Sequence, residues 1–268
     1  MALPPDIAAS RALFPRGLRQ PPGSFRFSED ALLLAAFILR RCLPLTSGRS
    51  LLDLGCGCGV VGLACLLGDE GLACLGADCV PELAQAARDN ARALGLASRY
   101  AARVLDLASP EARMALPEGS FSLVAANMPY RPSGSGRLPR SGLRQKALIA
   151  DEGTMPAFLR GAARALAPGG LFALVYPWEA KDALFSGLEA QGFSLRLLLP
   201  LSAREGRATR CLVAAGLGRS GGQSGGRSGE RAVPEPPLVL RARSGKEYGA
   251  EAVAFCPWLA SRPWGEPF

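Results

Sequence analysis

Two short segments hold most of the residues whose types and spacing can do chemistry. The first is Leu51-Leu52-Asp53-Leu54-Gly55-Cys56-Gly57-Cys58-Gly59, with Gly62 three residues further on. Glycines alternating with small thiols after an apolar run suit a backbone that turns tightly and lets a ligand approach without a Cβ in the way. Asp53 precedes these glycines, and Asp78 follows the next apolar run. The second segment is Asn127-Met128-Pro129-Tyr130, which continues the apolar run Phe121–Ala126 without a break.

Two cofactors fit such a glycine loop. Gly57-x-Gly59-x-x-Gly62 satisfies the dinucleotide pattern literally, and a dinucleotide would set its pyrophosphate at the helix N-terminus that follows. S-adenosylmethionine would instead bring a zwitterionic amino-acid end and a sulfonium. Asp53 is unfavourable beside a pyrophosphate and favourable beside a ligand ammonium, which tilts the choice toward S-adenosylmethionine. Asp78 can accept from ribose hydroxyls of either cofactor. Asp106, in Val104-Leu105-Asp106-Leu107, can accept from an adenine amino group or simply close a turn.

These residues need a scaffold that brings strand ends together, and the hydrophobic pattern supplies one. Ser50–Leu54, Gly71–Gly76, Tyr100–Leu105, Phe121–Ala126 and Leu171–Tyr176 predict strands. Val60–Leu67, Pro81–Leu94, Pro156–Leu166 and Ala180–Gln191 predict helices between or after them, Pro81 suiting a first helical position and Gly95 a stop. Ser28 caps a further helix ahead of Glu29 and Asp30. Phe193–Leu199 and Arg210–Ala215 follow each other with only a short link. The expected fold is therefore α/β, a Rossmann-like seven-stranded, mostly parallel sheet with helices on both faces and one antiparallel edge strand. In such sheets ligands gather at the carboxyl ends of the strands, so the tetrapeptide should face the glycine loop.

Composition narrows the chemistry further. The chain has 268 residues, 49% of them hydrophobic, enough for one packed domain with an appendage. It contains no histidine, which removes His-based triads and His metal ligands. None of the eight cysteines forms a C-x-x-C pair, so the thiols read as small apolar groups and no metal is expected. The formal charge of +8 points to a polyanionic partner, nucleic acid being the simplest. The longest apolar stretch, Ala31–Leu39, is too short to cross a bilayer, and the N-terminus carries no signal pattern. A soluble cytoplasmic monomer without membrane contact is expected. Residues 1–24, rich in Pro and Arg, read as an irregular segment, 25–217 as the domain, 218–236 as a flexible Gly/Ser-rich insertion, and 237–268 as a tail that packs on the domain.

Taken together, the two motifs resemble those of class I S-adenosylmethionine-dependent methyltransferases, in the amino-methylating branch with an Asn-Pro-Pro-Tyr motif. Leu166-Ala167-Pro168-Gly169-Gly170 is similar to the usual lead into the fifth strand, and Pro81-Glu82-Leu83 through Ala87-Arg88-Asp89-Asn90 to the helix after the ribose-binding acid. Arg19-Gln20 through Gly23-x-Phe25-Arg26-Phe27-Ser28-x-Asp30-Ala31-x-Leu33-Leu34 resembles the N-terminal signature of bacterial enzymes that methylate N6 of the adenine beside the anticodon of valine tRNA. The resemblance implies cofactor contacts for Phe27, Asp53, Gly55, Gly57, Gly59, Asp78, Asp106 and Asn127, and catalytic roles for Asn127, Met128, Pro129 and Tyr130. Asn127 and the Met128 carbonyl would accept the two N–H bonds of the substrate amine, and Tyr130 would stack on a flipped base. Met128 stands where the family usually has proline, so the carbonyl is kept and the fixed φ is lost.

Arg131, Arg137, Arg140, Arg144 and Lys146 follow the tetrapeptide, with no acid between Gly119 and Ala150, and read as an RNA-binding flap for tRNA. Rival acceptors are guanine N2 of rRNA and a protein glutamine amide, although only 49 residues precede Ser50, short of the helical domain that glutamine methyltransferases carry. A non-catalytic, methyltransferase-like RNA-binding subunit and a dinucleotide oxidoreductase are the rivals of other classes.

Overall fold

The computed structural model describes residues 4–24, 26–129, 131–132, 149–150, 153–218, 234–242 and 247–260, with 131, 132, 149 and 150 described by their backbone alone. Eight strands form the main sheet: β1 (Ser50–Leu54), β2 (Ala73–Asp78), β3 (Tyr100–Val104), β4 (Phe121–Ala126), β7 (Leu166–Pro177), β8 (Phe193–Ser202), β9 (Arg210–Leu217) and β10 (Leu238–Val239). Arg131–Pro132 (β5) and Ile149–Ala150 (β6) make a separate parallel pair. The order across the large sheet is β10-β8-β9-β7-β4-β1-β2-β3.

This is the expected mixed α/β Rossmann-like architecture, with two differences of detail. The sheet has eight strands because the tail adds β10 parallel to β8. The antiparallel strand is not at the edge: β9 is inserted between β7 and β8 and runs against both. The local strand-to-strand link predicts the antiparallel pair but not the slot it enters.

Helices cover both faces. On one lie α2 (Glu29–Phe37), α3 (Val60–Gly68) and α4 (Pro81–Ala93), and the core there includes Leu33, Phe37, Leu51, Leu63 and Leu123. On the other lie α6 (Thr154–Ala165) and α7 (Lys181–Ala190), over Leu52, Leu54, Val124, Phe172 and Leu174. The alternation of Leu51 and Leu52 between these cores is the two-residue period of a strand buried on both faces. Short α5 (Pro110–Met114) is capped by Ser109, whose hydroxyl accepts from the Ala112 amide. Ser28 caps α2 in the same way, accepting from the Asp30 amide at 3.3 Å. No helix among the described residues is long and apolar enough to cross a membrane.

One boundary needs correction. Residues 1–24 are not irregular throughout, because Pro5–Leu13 form helix α1. Its Pro-rich start suits a first helical turn, but the stabilising contacts are distant in sequence. Ile7 packs at Gly95, the residue that ends α4 at φ +67°, and buried Phe14 meets Trp258 edge-on at 5.8 Å. The tail also contributes α8 (Ala250–Phe255), whose Ala252 and Phe255 are buried in the α2–α3 core.

Candidate active site

Strand register builds the site. Leu54 pairs with Ala77 on one side and Ala126 on the other. The next residues, Gly55, Asp78 and Asn127, therefore lie level at the ends of three adjacent parallel strands. Both the Gly55 and Cys56 amides donate to the Ala77 carbonyl, at 2.8 and 3.1 Å, folding the glycine loop back over β2. Gly57 holds φ at +55°, and a Cβ there would meet nothing within 4 Å. That open point faces a cavity of about 580 Å³.

Asp78 borders this cavity and organises the loop. Its Oδ2 accepts from the Gly57 amide at 2.8 Å and its Oδ1 from the Val80 amide at 2.9 Å. Burial raises its pKa, and the two amides only partly offset that. Phe27 also borders the cavity, its amide pinned to Gln20 Oε1 at 3.1 Å. Asp106 does too, its Oδ1 accepting from the Ala108 amide. Asn127, Met128 and Pro129 complete the opposite wall. The Met128 side chain is only 1% exposed and packs in the core beneath α6, so packing restrains a segment that proline would restrain by its ring.

Two of the residues expected at the cofactor lie off the cavity lining. Asp53 does not line the cavity. On β1 it shares the face of Leu51, which α3 covers, and its Oδ2 accepts from the Gly62 amide at 3.1 Å. Burial pushes its carboxyl up to about 7, with Asp78 adding to the rise. Gly59 does not line the cavity either. With φ at +90° it starts α3, and a Cβ there would lie 2.9 Å from the Tyr100 hydroxyl and 3.1 Å from Ala87. Both residues brace the loop from behind. Tyr130, Arg137, Arg140, Arg144 and Lys146 lie outside the described residues, and of Arg131 only the backbone, paired with Ile149, is described.

Residues 45–212 match the sequence model of a methyltransferase-domain family. The chain belongs to that family. Among solved structures it is similar to one described as a predicted O-methyltransferase, from Agrobacterium tumefaciens, at 20% identity and a TM-score of 0.62, covering 86% of this chain and 96% of that one. It is similar also to the [4+2]-cyclase SpnF at 16% identity and a TM-score of 0.52, covering 79% and 93%. At these identities the likeness is one of fold. The curated proteins include no match.

The protein is thus an S-adenosylmethionine-dependent methyltransferase, and its cavity suits that cofactor. Gly57 leaves room for close approach, while the Asp78 and Asp106 carboxylates can accept from ribose and adenine donors. The methyltransferase also uses residues that sequence reading passed over. Phe158 of α6 lies against Gly55, where a Cβ would be 3.0 Å from its ring. Asn90 of α4, 1% exposed, donates to the carbonyls of Cys58 and Arg19 at 2.9 and 3.0 Å and accepts from the Arg19 amide at 2.8 Å. It thereby ties the glycine loop to the N-terminal segment. An Asn in a helix with alanines around it was the available signal, since a buried amide needs several partners. Arg210 and Asp30 also line the cavity as an ion pair, joining residues 180 apart in the chain.

Proposed function

We propose that this methyltransferase acts on the exocyclic amino nitrogen of an adenine in RNA, with tRNA for valine, beside the anticodon, as the acceptor. The observation that carries the reading is Asn127-Met128-Pro129 continuing β4 into the cofactor cavity, level with Gly55 and Asp78. The acceptor class is supported by the resemblance of the tetrapeptide and of the N-terminal segment, by the excess of basic residues after Pro129, and by the net charge of +8.

The bound cofactor supplies a methyl group on a sulfonium. In this reading Asp78 orients its ribose and Asp106 its adenine, while the glycine loop admits its amino-acid end. Asn127 Oδ1 and the Met128 carbonyl accept the two N–H bonds of the substrate amine. That fixes the nitrogen and frees its lone pair for in-line attack. The new N–C bond would replace the cofactor's S–C bond, and the surplus proton would leave to water. Positioning and electrostatics suffice without a strong base, which suits a chain without histidine. Tyr130 stacks on the base, and Arg131, Arg137, Arg140, Arg144 and Lys146 contact phosphates.

Incubation with tritiated S-adenosylmethionine and bulk tRNA, followed by nucleoside analysis, tests the acceptor. A peak of N6-methyladenosine is the expected result, and label found only in protein overturns it. Asn127→Ala is expected to lower kcat by about 100- to 1,000-fold with cofactor affinity within twofold, roughly the loss seen when one such acceptor or donor is removed. Full turnover in that variant would remove Asn127 from the chemistry.

A further inference from the structure

A second set of charged residues adjoins the cavity and takes no part in the chemistry above. At the start of α2, Glu29 is partly buried, its side chain 15% exposed. Its Oε1 accepts from Arg210 Nη2 at 2.7 Å, and its Oε2 from Arg241 Nη2 at 2.9 Å and from the Tyr248 hydroxyl. Arg210 also pairs with Asp30. Arg241 stacks over the Tyr248 ring, its guanidinium carbon 4.0 Å from the centroid, and the two residues form an isolated antiparallel bridge.

The topology explains why these groups meet. β9 runs against its neighbours, so its first residue, Arg210, emerges beside Pro177, at the end of the sheet where the parallel strands finish. Arg210 is thus delivered to the cavity wall, next to Asp30, Phe27 and Ser28. Arg241 and Tyr248 belong to the tail and do not line the cavity. Among the described residues, Glu29 joins the two sides: it accepts from Arg241 and Tyr248 of the tail and from Arg210 of the cavity wall.

We propose that Arg210 is a positioning residue through which the C-terminal tail sets the cavity's affinity for S-adenosylmethionine. The Arg241–Tyr248 clasp fixes Glu29, Glu29 fixes Arg210, and Arg210 with Asp30 fixes the α2 end of the cavity wall. Tail docking and cofactor binding are therefore coupled, and the coupling is reciprocal.

Calorimetric titration of the full-length protein with S-adenosylmethionine tests this without any methyl acceptor. Tyr248→Phe and Arg241→Gln should each weaken binding by about 5-fold, the low end of ordinary coupling between sites. Arg241→Lys, which keeps the charge, should recover part of the loss. Tyr248→Phe combined with Glu29→Gln should fall short of the product of the single effects, because the two groups share one bond. A merely structural tail would lower the melting temperature and leave affinity at wild-type values well below it, and that result overturns the proposal. The unmodified protein offers a test independent of any variant. Saturating S-adenosylmethionine should slow limited proteolysis within residues 234–260, and an unchanged cleavage rate there would equally overturn it.

Discussion

Two groups of desolvated acids stand near the same cavity and are held in opposite ways. Asp53 and Asp78, under the glycine loop, are met by backbone amides: Gly62 for Asp53, and Gly57 and Val80 for Asp78. Burial dominates: it pushes Asp53 up to about 7 and raises Asp78 above its ordinary value. Glu29 is also desolvated, yet the Tyr248 hydroxyl, Arg210 and Arg241 more than reverse that rise and hold it below its ordinary value. Depth alone does not set the charge of a carboxyl; the partner does. Amides leave the loop acids free to change protonation state. Arg210, Arg241 and Tyr248 hold Glu29 in its anionic form.

The severest way to break this contrast is to remove the shared cation. Arg210→Ala leaves Asp30 buried without the Arg210 guanidinium and Glu29 with Arg241 and Tyr248 alone. About 3 kcal/mol of stability should be lost in urea denaturation, the lower end for breaking a buried pair, since the Arg210 side chain is 18% exposed and some solvent reaches it. Asp182→Ala is the control. That carboxylate is 82% exposed beside Lys181, and its removal should cost under about 1 kcal/mol. Equal losses in both variants would mean that the α2 cluster is no more than a surface pair.

The contrast also marks what was legible in the sequence. Gly55, Gly57, Asp78 and Asn127 were legible because their placement is local: a strand end, a loop that must turn, and the next residue of a parallel strand. The cap at Ser28 and the stop at Gly95 were legible for the same reason. The orientation of Asp53 was not. Alternation shows that it shares a face with Leu51, but which face α3 covers is decided by packing of the whole sheet. Helix α1 was hidden by its Pro- and Arg-rich composition, since its anchors, Gly95 and Trp258, lie far along the chain. The α2 cluster was least legible of all. It requires knowing that β9 enters the sheet between β7 and β8, which is a property of topology rather than of any segment.

The amide-held side is tested next at Asp78, the loop acid that borders the cavity. Asp78→Ala removes a carboxylate acceptor and releases the Gly57 amide. Cofactor affinity should fall by about 10- to 100-fold, the worth of one or two charge-assisted hydrogen bonds. Asp78→Asn, which keeps one acceptor oxygen, should lose less. Calorimetric dissociation constants within threefold of wild type for Asp78→Ala would remove this residue from the site.

Asp53 gives the smallest signal and the one that separates the two groups by pH. Its carboxyl titrates near 7 in the folded protein against an ordinary value of 3.8. Between those values the folded protein keeps a proton that the unfolded chain has released. Its contribution to stability is therefore full below about pH 4, drains away as pH rises toward about 7, and is flat above. The slope from one such group is at most ~1.4 kcal/mol per pH unit. Glu29 acts in the other direction and in another window: with its pKa lowered below 4.5, its contribution is present above that value and is lost only as acid protonates it. Urea denaturation at pH 5, 6, 7 and 8 leaves Glu29 ionised throughout, and comparing wild type with an Asp53 variant separates Asp53 from Asp78, whose pKa is also raised. Asp53→Asn keeps an oxygen for the Gly62 amide and cannot ionise, so its stability should be less pH-dependent than wild type across this range. Parallel pH profiles for the two proteins would mean that Asp53 is already charged in the fold. The loop acids would then be held as firmly as Glu29, by amides alone, and the distinction between a responsive and a locked carboxylate would fail.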